Sequence, residues 1–123
     1  MNPYQHERAY FRVQDVKRAI GELRIIFAGK SKEDVESGFI LKPAFERKLE
    51  IVSEASKNIP QEWKGAHGPH IPWHQIAGIG NILRHEYRHV SFETLWSIYV
   101  EHLDPLEHAS DAMLVAYERP WPE

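Results

Sequence analysis

The chain has 123 residues, of which 42% are hydrophobic and 27% charged, the proportions of one ordinary globular domain. It contains no cysteine, which excludes disulfides, thiolate nucleophiles and cysteine-bound zinc. The formal net charge of −3 excludes a general nucleic-acid coat, which needs an overall basic face, so any contact with RNA must be local.

The N-terminal segment lacks a basic region followed by an apolar core, and no stretch reaches the roughly 18 apolar residues that a membrane span requires. We therefore expect a cytoplasmic protein without membrane contact. One domain is expected over residues 1–117, followed by a short tail at 118–123, where two prolines oppose regular structure.

The first half of the chain predicts two long helices separated by a short one. The first helix should end near Gly29, and the short helix should be capped by Ser31. Pro43 suits the first turn of the next helix, which Pro60 closes. The apolar stripe of the first helix comprises Ala9, Val13, Val16, Ile20, Leu23 and Phe27. The core face of the second long helix comprises Phe45, Leu49, Val52, Ala55 and Ile59.

The second half predicts one long loop and two further helices. Residues 61–72 hold two glycines, two prolines and two histidines, which is typical of a loop. A helix starts at about Trp73, and Ser91 caps the last helix, which Pro105 should kink or divide. The buried stripe of the first of these helices is expected to be Ile76, Ile79, Ile82 and Leu83. The apolar face of the last helix comprises Phe92, Leu95, Trp96, Tyr99, Leu103 and Leu106.

No stretch alternates convincingly between apolar and polar residues, so the sequence gives no support for strands. The predicted fold class is all-α, an antiparallel up-and-down bundle of four to five helices.

The helix from Trp73 carries a polar face opposite its isoleucines, on which Gly78, Asn81 and His85 line up. Gly78 and Gly80 each cost up to about 1 kcal/mol relative to alanine inside a helix, so another helix or a ligand should approach closely. From the residues alone, a plain solvated face explains Asn81 and His85 at least as well as a functional site does.

Residues 71–87, with the letters IPWHQIAGIGNILRHEY, resemble the HepT-like branch of the HEPN superfamily. Residues 49–55, 95–96 and 103–106 extend the resemblance, which covers roughly residues 8–110. It implies a small all-α homodimer whose partner is a small nucleotidyltransferase, the two acting as toxin and antitoxin.

The same resemblance implies a metal-independent endoribonuclease that needs no cofactor. The family motif is an arginine, an asparagine, three variable residues and a histidine, usually followed after one residue by a tyrosine. The resemblance implies that Asn81 and His85 are catalytic. It also implies that Tyr87 is the residue that the nucleotidyltransferase antitoxin modifies with AMP (AMPylation). Two such motifs meet across the dimer.

The motif fits the chemistry of RNA cleavage. A metal-free reaction needs one group to take the 2′-hydroxyl proton, another to protonate the leaving oxygen, and a cation at the phosphate. Histidine exchanges protons near neutral pH, and arginine forks onto phosphate with two hydrogen bonds.

One position departs from the family, because Gly80 stands where the motif has its arginine. Arg84 is the candidate replacement, expected about 100° around the helix from both His85 and Gly80. Arg88 points better but lies where the helix ends. Two interpretations follow: an active endoribonuclease, or a catalytically degenerate HEPN dimer that still binds a nucleotidyltransferase.

Metal chemistry provides a third interpretation. His85-Glu86-Tyr87-Arg88-His89 matches the His-Glu-x-x-His pattern of zinc metallopeptidases, with Glu101 or Glu107 as a third ligand. A second possible metal-binding set in the predicted loop region comprises His67, His70 and His74.

Two further polar residues, Arg47 and Glu54, match polar positions of the family. They are compatible either with a place in the site or with an exposed ion pair.

Overall fold

Six α-helices form in the part of the chain that the computed structural model describes, which is residues 1–85 and 90–120. They are α1 (Pro3–Phe27), α2 (Lys32–Ser37), α3 (Leu41–Lys57), α4 (Gln61–His67), α5 (Trp73–His85) and α6 (Phe92–Ala116). The described residues include no strand, so the predicted all-α class is confirmed. None of the helices in those two ranges is long and apolar enough to cross a membrane.

Four predicted helix ends, at Gly29, Ser31, Pro43 and Ser91, are confirmed. Ser31 accepts a hydrogen bond from the Asp34 backbone N–H at 3.0 Å and starts α2, and Ser91 caps α6 in the same way. Gly29 follows α1 with a φ of +74°, a conformation that glycine adopts without steric cost. Pro43 lies in the first turn of α3, as expected.

The core is centred on Phe45, which is fully buried on α3. Its ring centroid lies 5.5 Å from that of Phe27 on α1 and 5.7 to 5.8 Å from the centroids of three rings on α6. Those three rings are Phe92, Trp96 and Tyr99. The aromatic cluster fixes the start of α6 against α1 and α3, while α3 also packs along α5.

The loop predicted for residues 61–72 is wrong in its first half, which forms α4. Pro60 occupies the N-cap, Glu62 lies in the first turn, and Trp63 is 3% exposed. The Trp63 ring stacks on Tyr117 with 3.9 Å between centroids. The prolines that suggested a loop lie outside the helix, and burial of one tryptophan outweighs the cost of Gly65 within it.

Two further expectations need correction. Ile82 is 40% exposed, whereas Gly80 is buried on the inner face of α5. The buried positions follow spacings of three, one and three residues, a pattern that includes Gly80 and leaves Ile82 outside. Of the two effects expected of Pro105, division of the helix is wrong, because α6 is continuous from Phe92 to Ala116. Pro105 removes the N–H that would bond the carbonyl one turn earlier.

Candidate functional site

The exposed polar face of α5 consists of Asn81, Arg84 and His85, on the last two turns of the helix. Among the residues that the structure describes, neither the Asn81 amide nor the His85 ring has a hydrogen-bond partner. Both side chains are therefore open to a ligand from solvent. The structure brings the three sequence-predicted residues together on one surface.

Gly80 lies on the buried side of α5, against α3. Its backbone N–H donates to Ser53 Oγ at 2.8 Å, and that hydroxyl donates to the carbonyl of Ala77 at 2.9 Å. A Cβ added to Gly80 would lie 2.9 Å from Glu54 Oε1 and 3.0 Å from Ser53 Oγ. Glycine thus leaves room for the Ser53 hydroxyl and the Glu54 carboxylate of α3, the close approach that the sequence suggested for this position.

Gly78 has a different environment. No atom lies within 4 Å of the position that its Cβ would occupy, so the structure provides no packing reason for glycine there. The residue leaves open surface one turn from Asn81.

The Arg84 guanidinium lies back over Gly80. Arg84 Nη1 is 3.3 Å from the position of a Cβ on Gly80 and donates a hydrogen bond to Glu54 Oε1. The expectation that Arg84 lies about 100° from Gly80 was wrong, because four residues of an α-helix differ by only about 40°. Side chains that lean toward the N-terminus of their helix then reach the preceding turn.

Glu54 holds two cations, since Lys57 Nζ also lies 3.2 Å from its Oε1. The hydrogen bond from Arg84, and then the interaction with Lys57, lower the pKa of Glu54, although partial desolvation opposes the shift. Its carboxylate is ionised at neutral pH, and the stabilisation that the pair contributes is lost only as the pH falls below the ordinary glutamate value of 4.5.

This ion pair is half-exposed, with 37% of the Arg84 side chain and 42% of the Glu54 side chain accessible to solvent. Water screens such a pair, which therefore contributes little to folding. Its effect is to orient the guanidinium. Because Arg84 and Lys57 share one carboxylate, the three groups together keep a net positive charge, which can attract an anion.

Four residues of the predicted motifs, Glu86, Tyr87, Arg88 and His89, lie outside the described residues. The modification site Tyr87, the alternative cation Arg88 and most of the His-Glu-x-x-His pattern are therefore not placed. Of its suggested third ligands, Glu107 pairs with Lys17 at 3.4 Å on the α1–α6 side of the bundle.

The histidine set proposed for metal binding is not brought together. His67 belongs to α4, and its Nε2 lies 3.0 Å from the Tyr117 hydroxyl. Within residues 1–85 and 90–120, no group of three histidine or acidic side chains is arranged to hold a metal ion.

Sequence reasoning missed Ser53, the hydroxyl that joins α3 to α5. Ser53 and Ser56 are fully buried between the apolar residues of α3. A small polar residue on a core-facing stripe, opposite a Gly-x-Gly segment, is the pattern that predicts such a helix contact. Glu54 was noted as polar, but its contact with Arg84 depends on how the two helices pack.

Comparison with known proteins addresses the lineage of this site. The family profile described as "Ribonuclease HepT-like" matches residues 16–113. The chain belongs to the HepT-like family. No solved structure matches it.

Several curated relatives of this HepT-like chain carry ribonuclease names. It is 39% identical over 79 residues to a "Putative RNase" of Caldanaerobacter subterraneus subsp. tengcongensis, an alignment that covers 64% of the chain and 70% of that relative. It is 43% identical over 61 residues to the "Probable ribonuclease HepT" of Thermococcus cleftensis, covering 50% of the chain and 54% of the relative. A "Putative RNase" of Methanocaldococcus jannaschii is 38% identical over 55 residues, 45% of the chain and 50% of that protein.

Proposed function

We propose that this HepT-like chain is a metal-independent endoribonuclease whose site comprises Asn81, Arg84 and His85. The observation that carries the proposal is the placement of the Arg84 guanidinium over Gly80. Arg84, one turn later on the same helix, thereby takes the place of the arginine that the family motif has at position 80. Ribonuclease-named relatives support the substrate class.

In the proposed reaction the ribose 2′-hydroxyl attacks the adjacent phosphorus and the 5′-oxygen of the next nucleotide leaves. The products are a 2′,3′-cyclic phosphate and a 5′-hydroxyl. His85 exchanges the protons, Arg84 stabilises the negative charge that develops on the phosphate, and Asn81 donates a hydrogen bond to the substrate.

One imidazole cannot hold and release a proton on both sides of the phosphate in a single step, so the proposal includes a homodimer that supplies two histidines. A partly apolar cleft of about 200 Å³ between α5 and α6 supports this, because its apolar side chains offer a surface that a second copy could cover. The cleft is lined in part by Ile79, the exposed Ile82 and Val90. Sedimentation over a range of concentrations tests it, and a cleaving monomer would contradict it.

The direct test of the function is cleavage of RNA in the presence of a chelator. We expect the purified protein to release fragments that end in cyclic phosphate, because none of the proposed groups is a metal ion. The ends are identified by their resistance to phosphatase until acid opens the ring. RNA that stays intact at high protein concentration, with a metal-free control ribonuclease active in the same buffer, would reject the activity.

A cognate nucleotidyltransferase antitoxin is the proposed partner, and the cytoplasm the proposed location, as the HepT-like resemblance implies. Tyr87 follows His85 by two residues, so an attached nucleotide would add negative charge beside the site and repel RNA phosphate. Incubation with ATP and the partner enzyme should increase the mass of the peptide containing Tyr87 by one AMP. The Tyr87→Phe variant should show no increase; modification of that variant at another residue would reject Tyr87 as the target.

A catalytically degenerate dimer that only binds the nucleotidyltransferase is the second candidate, and one observation favours it. Glu54 pairs with Arg84, the only arginine of the described site, which reduces the charge available for phosphate. Intact RNA together with a stable complex with the partner would support this function, whereas cleavage in chelator would reject it.

A further inference from the structure

A separate polar cleft lies between the N-terminal half of α1 and the junction of α3 with α4. Its volume is about 610 Å³, and the polar side chains that line it are Gln5, Arg8, Arg12 and Asn58. All four can donate hydrogen bonds from nitrogen, and no carboxylate belongs to its described lining. Arg8 has no ion-pair partner within the described part of the chain. Such a surface suits an anion.

This cleft continues toward the α5 site. A second cleft of about 340 Å³ shares Arg12 and Asn58 with the first and is lined further along by Arg47 and Glu54. Glu54 is the residue that holds Arg84. One groove therefore runs from the start of α1 along α3 to Glu54, the carboxylate that Arg84 contacts.

The charge of the groove contrasts with that of the whole chain. The residues that line the groove, taken together with their ion-pair partners, include five basic and three acidic side chains. The whole chain, by contrast, has a formal net charge of −3. The basic residues are Arg8, Arg12, Arg47, Lys57 and Arg84, and the acidic ones are Asp15, Glu50 and Glu54. A local basic groove on an acidic protein attracts a polyanion to one surface only.

An exposed aromatic residue of α1, Tyr4, precedes the groove-lining Gln5 and lies outside the groove's described lining. Tyr4, Arg8 and Arg12 are spaced four residues apart and share one face of α1, and Tyr4 is 66% exposed. Single-stranded nucleic acid is bound by the combination of backbone-tracking cations with aromatic rings on which bases stack.

We propose that this groove binds the phosphate backbone of a single RNA strand and leads it to the α5 site. Arg8 and Arg12 contact phosphates, and Tyr4 stacks on a base. The identity of the strand as substrate rests on the proposed ribonuclease function, but its binding does not require cleavage.

The test is fluorescence anisotropy with a labelled oligouridylate of about 16 nucleotides, measured in the His85→Ala background so that the strand stays intact. Arg8→Ala and Arg12→Ala are each expected to raise Kd about fivefold at low salt. Each should also reduce the slope of log Kd against log salt by about 0.7, the value for one phosphate contact of a single strand. Arg12→Lys, which keeps the charge, should recover most of the affinity.

Arg18→Ala is the matched control, because Arg18 is exposed on the same helix and does not line the groove. Unchanged affinity in the Arg8 and Arg12 variants, or an equal loss in the Arg18 variant, would overturn the proposal. Competition by inorganic phosphate distinguishes a small-anion site. If phosphate alone displaces the strand at low millimolar concentration, the groove is not a strand-binding surface.

The strand-binding measurement and the cleavage test can fail independently of each other. Weaker binding by the Arg8 and Arg12 variants in a protein that never cuts RNA would support the groove and reject the nuclease. Full cleavage by a variant carrying both substitutions, at unchanged kcat/KM, would reject the groove and leave the nuclease in place.

Discussion

Replacing His85 with alanine is expected to lower kcat/KM for RNA cleavage by about two to four decades, the usual contribution of a proton-transferring side chain. His85 is exposed at the last described position of α5, with no hydrogen bond to residues of the described ranges. The free energy of unfolding should therefore stay within about 0.5 kcal/mol of the original value. Chelator-containing cleavage assays and urea unfolding measure the two quantities.

His74→Ala is the matched control for this substitution. His74 is also exposed and lies in the first turn of the same helix, away from Asn81 and Arg84. The His74→Ala variant should cleave RNA at the original rate. A His85→Ala variant that keeps its activity, or a His74→Ala variant that loses it while folded, would show that the reacting phosphate lies elsewhere.

Replacing Arg84 with alanine is expected to lower kcat by about two to three decades, because the phosphate loses its charge stabilisation in the transition state. Arg84→Lys should recover part of the rate, since lysine keeps the charge but lacks the planar fork that contacts two oxygens. Neither variant should unfold the protein, because the half-exposed Glu54 pair contributes little to stability.

Arg18→Ala serves as the control for loss of one positive charge at a distance, and it should retain the original kcat. Comparison of kcat with KM separates the roles, since an arginine that only attracts RNA would change KM alone. An Arg84→Ala variant with full kcat, in a protein that His85→Ala inactivates, would show that the phosphate cation comes from another residue.

The sequence is sufficient to predict most of the fold because its elements depend on local patterns. Stripes spaced three and four residues apart place the long helices. Gly29 ends α1, Ser91 starts α6, and Ser31 starts the short helix α2. The helix α4 was missed because it is stabilised by Trp63 stacking on Tyr117, 54 residues later in the chain. Local composition carries no information about that contact.

The candidate site, like the fold, could be predicted from the sequence only in part. The exposure of Asn81 and His85 follows from their positions on a helix with an apolar stripe on the other side. The link between Gly80 and Ser53, and the pairing of Arg84 with Glu54, require α3 and α5 to be neighbours. Only the packed structure shows that the arginine extends over the glycine.

The close contact at Gly80 also constrains how this lineage can change. A return of the family arginine to position 80 would place its Cβ 2.9 Å from Glu54 Oε1 and 3.3 Å from Arg84 Nη1. Both contacts are with the ends of flexible, half-exposed side chains, so the reversion requires the Arg84–Glu54 pair to shift. An arginine at position 80 and the guanidinium of Arg84 would therefore compete for the same space and for the same carboxylate, so the reversion should displace Arg84 from its place over Gly80.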